Sequence, residues 1–234
     1  PIIAIKTGRS AAAGRVALGH TSSLTGSDAL YDALFHRLGI IRVDSVTELV
    51  ELAKFVTFAG IPEGRRFSAV AASGGDMAMT ADYADRLGLE LPPLSQAQVA
   101  AIKAELPPYA NVANPLDYTI GVWGKPEVQR RVFTTMASGD VDTAIMVMEY
   151  APAGQGHDEA CHGAVDGMIA AHEDTGKPVF VTSHMPEDLP ESACKRMIAG
   201  GIAPLQGFPD AMRALAGAAW YGERRRAWRA DRAG

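Results

Sequence analysis

The stretch "AVAASGGDMAMTAD", residues 69–82, decides the fold class, because a short apolar run passes through two glycines directly into a helical pattern. We predict a strand over Phe67–Ala72, a turn at Ser73–Gly75 and a helix over Asp76–Leu87. The glycines let the backbone approach a bound group, and the N–H groups at a helix start favour an anion. Ser73, Gly74 and Gly75 therefore form a potential phosphate cradle. Two other interpretations stay open: such turns often contain glycine for steric reasons alone, and Asp76 can cap the helix itself and compete with an anion.

The same alternation of apolar strand and helix repeats along the chain. The run "AIMVM", residues 144–148, is continuously apolar, as expected of a strand that helices cover on both faces. Alternating strands and helices imply crossover connections and a parallel sheet, so the predicted fold class is α/β. The other predicted strands are Ile2–Ile5, Ile40–Val43, Thr143–Met148, Pro178–Thr182 and Ala203–Leu205. The other predicted helices are Asp28–Leu38, Val46–Phe58, Gln96–Glu105, Glu127–Met136, Asp158–Asp174, Pro190–Ile198 and Asp210–Tyr221.

Composition and charge narrow the class of partner. The 234 residues are 47% apolar and 21% charged, which is enough to bury a core. A formal net charge of −5 argues against nucleic acid as the main partner. No apolar run reaches the roughly 20 residues that span a bilayer, so we expect no membrane association. Cys161 and Cys194 are the only cysteines and show neither a disulfide framework nor zinc spacing; we predict a cytoplasmic protein and no metal site.

A domain boundary is predicted at "AGIPEGRR", residues 59–66, which is rich in glycine and proline and precedes a fresh strand. Residues 1–60 hold only two βα units, too few for a stable domain, and are predicted to be part of a second α/β unit. Residues 61–222 suit a flavodoxin-like domain, and residues 223–234 form a basic tail, either a solvated helix end or a docking segment. The chain lacks an initiator Met and begins inside a strand, so we expect a fragment. Its exposed sheet edge would favour pairing with a missing segment or with a second copy in a homo-oligomer.

The stretch "GHTSSLTGSD", residues 19–28, places a histidine on what we predict to be a small-residue loop before a helix. His20 is either a polar surface residue or a covalent carrier whose neutral nitrogen attacks an activated phosphoryl group. Gly19 and Gly26 would give a carrier freedom to move. Hydroxyl groups of Thr21, Ser22 and Ser23, with the turn at Ser73–Gly75, would supply donors to its phosphate.

Several stretches together resemble the NDP-forming acyl-CoA synthetases, the ADP-forming acetate–CoA ligase family related to succinyl-CoA synthetase. They are "PIIAIKTGRS" at 1–10, "GHTSSLTGSDALYDALFHRLGIIRVDS" at 19–45, "SGGDMAMTADYADRLGLELPPLS" at 73–95, "NPLD" at 114–117, "VDTAIMVM" at 141–148 and "GKPVF" at 176–180. The resemblance implies that His20 is transiently phosphorylated and that Ser73, Gly74 and Gly75 begin a helix facing the phosphate. It implies a loop-shaping role for Asn114 and Asp117. One departure is Ser22-Ser23, where the family commonly has Gly-Ala.

The resemblance also implies a reaction and its substrates. Acyl-CoA and phosphate would give acyl phosphate and CoA, and His20 would carry the phosphoryl group to ADP. The reverse direction makes acyl-CoA from a carboxylic acid, ATP and CoA. The family's CoA-binding domain, the first half of its histidine domain with an assisting glutamate, and its ATP-grasp domain have no counterpart in this sequence. CoA and ATP or ADP with Mg²⁺ are therefore expected to bind mainly outside this chain, as domains or subunits that partner it. The sequence does not choose the acid, or ADP over GDP.

Two other functions stay open. Ligase-like domains of this kind also serve as non-catalytic regulatory modules fused to other enzymes. A generic flavodoxin-like binding domain would need an acidic pocket or a flavin-loop pattern after its first strand, and "IKTGRSAAAGR" at 5–15 offers neither. Among the other histidines, 157, 162 and 172 do not share one helical face and are predicted to be surface residues. His184 follows a strand end and is predicted either to lie on the surface or to line the ligand-binding edge of the sheet.

Overall fold

The computed structural model of the chain describes residues 1–21, 27–151 and 158–233, with the backbone alone at 17–21, 158 and 233. The strands are β1 Ile2–Ile5, β2 Ile40–Val43, β3 Phe67–Ala71, β4 Leu116–Asp117, β5 Thr143–Val147, β6 Val179–Ser183 and β7 Ala203–Gln206. The helices are α1 Ala11–Thr21, α2 Asp28–Leu38, α3 Val46–Lys54, α4 Gly74–Leu87, α5 Gln96–Glu105, α6 Pro126–Ser138, α7 Asp158–Thr175, α8 Glu191–Ala199 and α9 Phe208–Ala233. A π-helical turn, Phe55–Ala59, follows α3, and short 3₁₀ turns cover Ile120–Val122 and Pro186–Asp188.

Five strands form one parallel sheet in the order β4-β3-β5-β6-β7. Val70 of β3 lies opposite Leu116 of β4 and Met146 of β5, and Val181 of β6 lies opposite Pro204 of β7. Counted within this sheet, the order is 2-1-3-4-5, which is that of the flavodoxin-like doubly wound fold. The predicted fold class is confirmed. The separate pair of β1 and β2 is also parallel, and Ile2 on β1 is largely exposed.

Buried side chains cover both faces of the five-stranded sheet. On one face, α5, α6, α7 and α8 pack through residues such as Ile102, Met136, Val165 and Met197. The cluster on the other face includes residues from both sides of the predicted boundary at residue 60: Ile41, Leu52 and Phe55 before it, and Phe67, Phe180, Phe208 and Leu215 after it. The two segments therefore share apolar core, and the division at 60 stays a prediction.

The last helix joins the predicted basic tail to the body of the protein. α9 continues without a break from Phe208 to Ala233, so the predicted division after residue 222 falls inside a helix. Arg65 Nε lies 2.9 Å from Glu223, and Arg225 lies 2.9 Å from Glu63. A Cβ on Gly222 would overlap the carbonyl oxygen of Pro62, so glycine is the residue that lets α9 approach this connection.

Two elements differ from the sequence prediction. α1 is absent from the predicted helices, and Gly19, His20 and Thr21 are predicted to lie in the loop at 19–28. The Ala-rich start of α1 instead forms a helix that continues through these three residues. The prediction of a loop is therefore wrong for these three residues, while 22–26 lie outside the described residues. β4 is absent from the predicted strands because it is only two residues long and pairs with β3 alone.

Candidate functional site

The carboxyl ends of β3 and β5 mark the place where a ligand is expected. In an open parallel sheet, ligands bind outside the carboxyl ends of the strands, at the point where the strand order reverses. Here that point lies between the segment after β3, which contains Ser73–Gly75, and the segment after β5, which begins at Met148. Residues 152–157 of the second segment lie outside the described residues.

The turn at Ser73–Gly75 opens α4 two residues earlier than predicted. Ser73 is the N-cap: its hydroxyl oxygen accepts the Asp76 N–H at 3.4 Å, and its carbonyl accepts the Met77 N–H at 3.3 Å. Gly74 and Gly75 form the first turn of the helix and are exposed. Because Ser73 holds the cap, the Asp76 side chain is not needed there, and the expectation that Asp76 caps the helix is wrong.

The predicted loop-shaping residues hold the neighbouring strand end. The Asn114 side chain donates to the carbonyls of Phe67 at 2.9 Å and Pro92 at 3.0 Å, and its oxygen accepts the Ala69 N–H at 3.2 Å. Pro115 cannot donate to β3, so the Asn114 amide occupies the place of a strand neighbour just before β4 begins. This geometry gives Asn114 a structural role.

Asp117, at the end of β4, lies beside the glycine turn. Its Oδ1 accepts the Thr119 N–H at 2.8 Å, and its Oδ2 lies 3.4 Å from the position that a Cβ on Gly74 would take. Thr119 has a φ of 65°, a left-handed conformation that is uncommon outside glycine, and the Asp117 hydrogen bond supports it. A side chain at position 74 would therefore meet this carboxylate.

A histidine and two carboxylates join three loops at the same edge. His184, after β6, has its Nε2 3.0 Å from Oδ1 of Asp76 in the first turn of α4. Oε1 of Glu149, after β5, accepts the backbone N–H of His184 at 3.3 Å and lies 3.7 Å from the ring nitrogen Nε2. The His184 ring packs against Phe208, with centroids 5.3 Å apart. We call Asp76, Glu149 and His184 the edge triad.

The sequence offers this edge as one of two positions for His184, the other being the surface, and it does not connect His184 to Asp76 or Glu149. The usable signal is position: each residue follows the carboxyl end of a different strand by a few residues. Because those ends meet at one edge of a parallel sheet, a polar residue in each loop is a candidate for a shared site.

The charges around the glycine turn are mostly negative. Asp76, Asp117 and Glu149 bring three carboxylates to this edge. Burial raises the pKa of Glu149 above its ordinary value of 4.5, and the neighbouring Asp76 and Asp188 carboxylates act in the same direction. An anion at Gly74 and Gly75 must therefore rely on the N–H groups and the dipole of the helix start to offset the repulsion of these carboxylates.

The other predicted residues are placed as follows. Gly19, His20 and Thr21 form the last turn of α1, while Ser22, Ser23, Gly26 and His157 lie outside the described residues. His162 Nδ1 lies 3.0 Å from the Tyr150 hydroxyl, and His172 Nδ1 lies 2.7 Å from the Lys177 carbonyl.

Two absences hold for the described ranges 1–21, 27–151 and 158–233. These ranges contain no group of three or more His, Cys, Asp or Glu side chains arranged to hold a metal ion. They also contain no helix with the length and apolar character that crossing a bilayer requires.

Fold and site together define a flavodoxin-like α/β protein with a glycine-rich helix start at its ligand edge. The family model described as "Succinyl-CoA ligase like flavodoxin domain" matches residues 1–56. The chain is 31% identical over 182 residues to the ADP-forming acetate–CoA ligase II subunit alpha of Pyrococcus furiosus, covering 77% of this chain and 39% of the relative. It is 34% identical over 117 residues to the ADP-forming acetate–CoA ligase of Methanocaldococcus jannaschii, covering 50% of this chain and 17% of the relative.

A solved structure agrees over the whole chain. It is the dinucleotide-forming acetyl-coenzyme A synthetase 1 of Ca. Korarchaeum cryptofilum, in complex with phosphate and ADP. The TM-score is 0.80 at 25% identity, and the match covers 100% of this chain and 49% of that chain. The chain is thus similar, in sequence and in fold, to ADP-forming acetate–CoA ligases, and its first 56 residues match the flavodoxin-like domain of succinyl-CoA ligases. It spans less than half the length of these two curated relatives and of the K. cryptofilum enzyme.

Proposed function

We propose that this chain is part of an acid–thiol ligase that interconverts acyl-CoA, ADP and phosphate with a carboxylic acid, CoA and ATP, through a phosphohistidine at His20. The observation that carries the proposal is the similarity to relatives named as ADP-forming CoA ligases, with a family match over residues 1–56 that includes His20. Phosphate would bind at Ser73, Gly74 and Gly75. CoA, the nucleotide and its Mg²⁺ would bind mainly to parts of the enzyme outside this chain.

The position of His20 suggests how a phosphorylated His20 would be freed from α1. His20 lies in the last turn of α1, and the carbonyl groups at the carboxyl end of a helix carry a partial negative charge. A phosphoryl group adds about −1.5 to −2 charges and is unfavourable at this end of a helix. Phosphorylation would therefore weaken the last turn of α1, and the unwound residues would give His20 the reach that a carrier needs.

The glycine turn supports the proposed binding of phosphate at Ser73, Gly74 and Gly75. Gly74 and Gly75 are exposed and begin a helix of 14 residues, so their N–H groups and the helix dipole favour a phosphate there. The surrounding carboxylates would weaken binding of free phosphate and would favour its departure after transfer. Thr21 and Ser22 are proposed as additional donors to the phosphoryl group on His20.

The test is labelling of the full-length protein with γ-³²P-ATP and Mg²⁺. We expect acid-labile, base-stable label that disappears in His20→Ala and persists in the control His36→Ala, an exposed histidine on α2. Label that persists in His20→Ala would place the carrier elsewhere and overturn the assignment. Absence of label in the unmodified protein would favour the alternative, a non-catalytic ligase-like regulatory module.

A further inference from the structure

We infer that His184, held by Asp76, is a second catalytic residue: the base that takes the thiol proton of CoA when the thiol attacks an acyl phosphate. The inference rests on the proposed function, because it assigns a role within that reaction. It concerns a different step from His20, since proton transfer accompanies acyl transfer whereas His20 carries the phosphoryl group.

The hydrogen bond to Asp76 defines which nitrogen of the His184 ring carries a proton. A carboxylate only accepts, so the contact of 3.0 Å requires a proton on Nε2 of His184. In neutral histidine the second nitrogen, Nδ1, then carries the lone pair and is able to take a proton. An imidazole oriented by a carboxylate on one nitrogen is the arrangement that general-base catalysis uses.

Three elements fix this imidazole in place. Asp76 holds it from α4, Glu149 accepts its backbone N–H from the segment after β5, and Phe208 of α9 packs against the ring. The charged groups that surround it are Asp76 and Glu149, with Asp188 of the adjacent 3₁₀ turn acting on Glu149. His184 nevertheless keeps 28% of its side-chain surface exposed, so a reactant is able to reach it.

Asp76 and His184 lie where acyl transfer to the CoA thiol would take place. Asp76 lies one residue after Gly75, so His184 sits beside the helix start at which the phosphate is proposed to bind. An acyl phosphate with its phosphate on Gly74 and Gly75 would have its carbonyl carbon within a few atoms of that helix start. The attacking thiol would then approach the same edge of the sheet.

The step balances without a further reactant. The thiol sulfur forms a C–S bond to the acyl carbon while its proton passes to Nδ1 of His184. The C–O bond to phosphate breaks, and its electron pair leaves on a phosphate oxygen. The imidazolium ion returns the proton to the departing phosphate, so that acyl-CoA and hydrogen phosphate are formed and His184 is neutral again.

The experiment separates the two steps in the full-length protein. Acyl transfer is measured with CoA and acetyl, butyryl or benzoyl phosphate, using whichever the unmodified enzyme accepts; phosphorylation of His20 is measured with labelled ATP. For His184→Ala we expect acyl transfer to fall about 10²- to 10⁴-fold through kcat, with KM little changed and labelling of His20 retained. Added imidazole should restore part of the rate. His184→Gln should lose activity similarly while keeping the packing on Phe208, and His36→Ala should retain the unmodified rate.

Three outcomes overturn the inference. One is acyl transfer in both His184 variants within threefold of the unmodified enzyme. The second is loss of activity that imidazole does not restore, together with a lowered melting temperature in both variants, which would indicate a purely structural ion pair. The third is labelling of His20 without acyl transfer to CoA from any of the three phosphates. Absence of His20 labelling in the unmodified protein would instead contradict the proposed function, so the two failures are distinguishable.

Discussion

Replacing Asn114 by Asp tests the claim that one side-chain amide completes the ligand edge of the sheet. Asp has almost the same shape and still accepts the Ala69 N–H, but it cannot donate to the carbonyls of Phe67 and Pro92, which lie 2.9 and 3.0 Å from the amide nitrogen. The change therefore removes the two donated hydrogen bonds while leaving the packing of the side chain almost unchanged.

The expected magnitude follows from those two contacts. Each lost hydrogen bond removes about 1 kcal/mol, and a partly buried carboxylate facing two carbonyl oxygens adds about 1–3 kcal/mol of desolvation and repulsion. We expect Asn114→Asp to lower the free energy of unfolding by about 3–5 kcal/mol at neutral pH. Protonation of the new carboxyl group supplies one donor again, so about 1 kcal/mol should return in mild acid.

Urea denaturation of the chain at pH 7.5 and at pH 4 measures both effects. Asn111→Asp is the matched control, because Asn111 lies three residues earlier and is exposed; its effect should stay within about 0.5 kcal/mol. The reasoning is refuted if Asn114→Asp is no more destabilising than the control, or if its loss is the same at both pH values.

Two further substitutions have expected directions. Gly222→Ala should destabilise the chain by about 1–3 kcal/mol, because the new Cβ overlaps the backbone of Pro62. Gly163→Ala in α7 should be neutral or stabilising by up to about 1 kcal/mol, since a Cβ there meets only ordinary contacts. Chemical denaturation of both variants measures the two changes in the free energy of unfolding, and equal changes would contradict the prediction. Glu149→Gln should raise the melting temperature at pH 7.5, because burial raises the pKa of Glu149 and its ionised form is therefore unfavourable in the folded state. That gain should shrink as the pH falls toward 4.5, because the carboxyl group of the unmodified chain takes up a proton over this range. A gain independent of pH, or one equal to that of exposed Glu159→Gln, would count against this cause.

Much of the local structure is predictable because its causes are local. Apolar runs such as 143–148 and helical spacing over 28–38 and 96–105 place strands and helices within about two residues, since periodicity is a property of neighbouring residues. His20 shows the limit of this reasoning. Small residues on both sides suggest a loop, yet a helix that begins in an alanine run extends through it.

By itself, the sequence determined a parallel α/β fold, a glycine turn that opens a helix, and a resemblance to a ligase family, because each depends on short stretches of residue type and order. The tertiary structure alone decided which distant side chains meet. Asp76 and His184 are 108 residues apart, and Asn114 reaches β3 from 45 residues away. These contacts depend on strand order and register, which bring the carboxyl ends of separate strands to one edge. Position after a strand makes each residue a candidate, but the order of residues along the chain does not say which candidates pair.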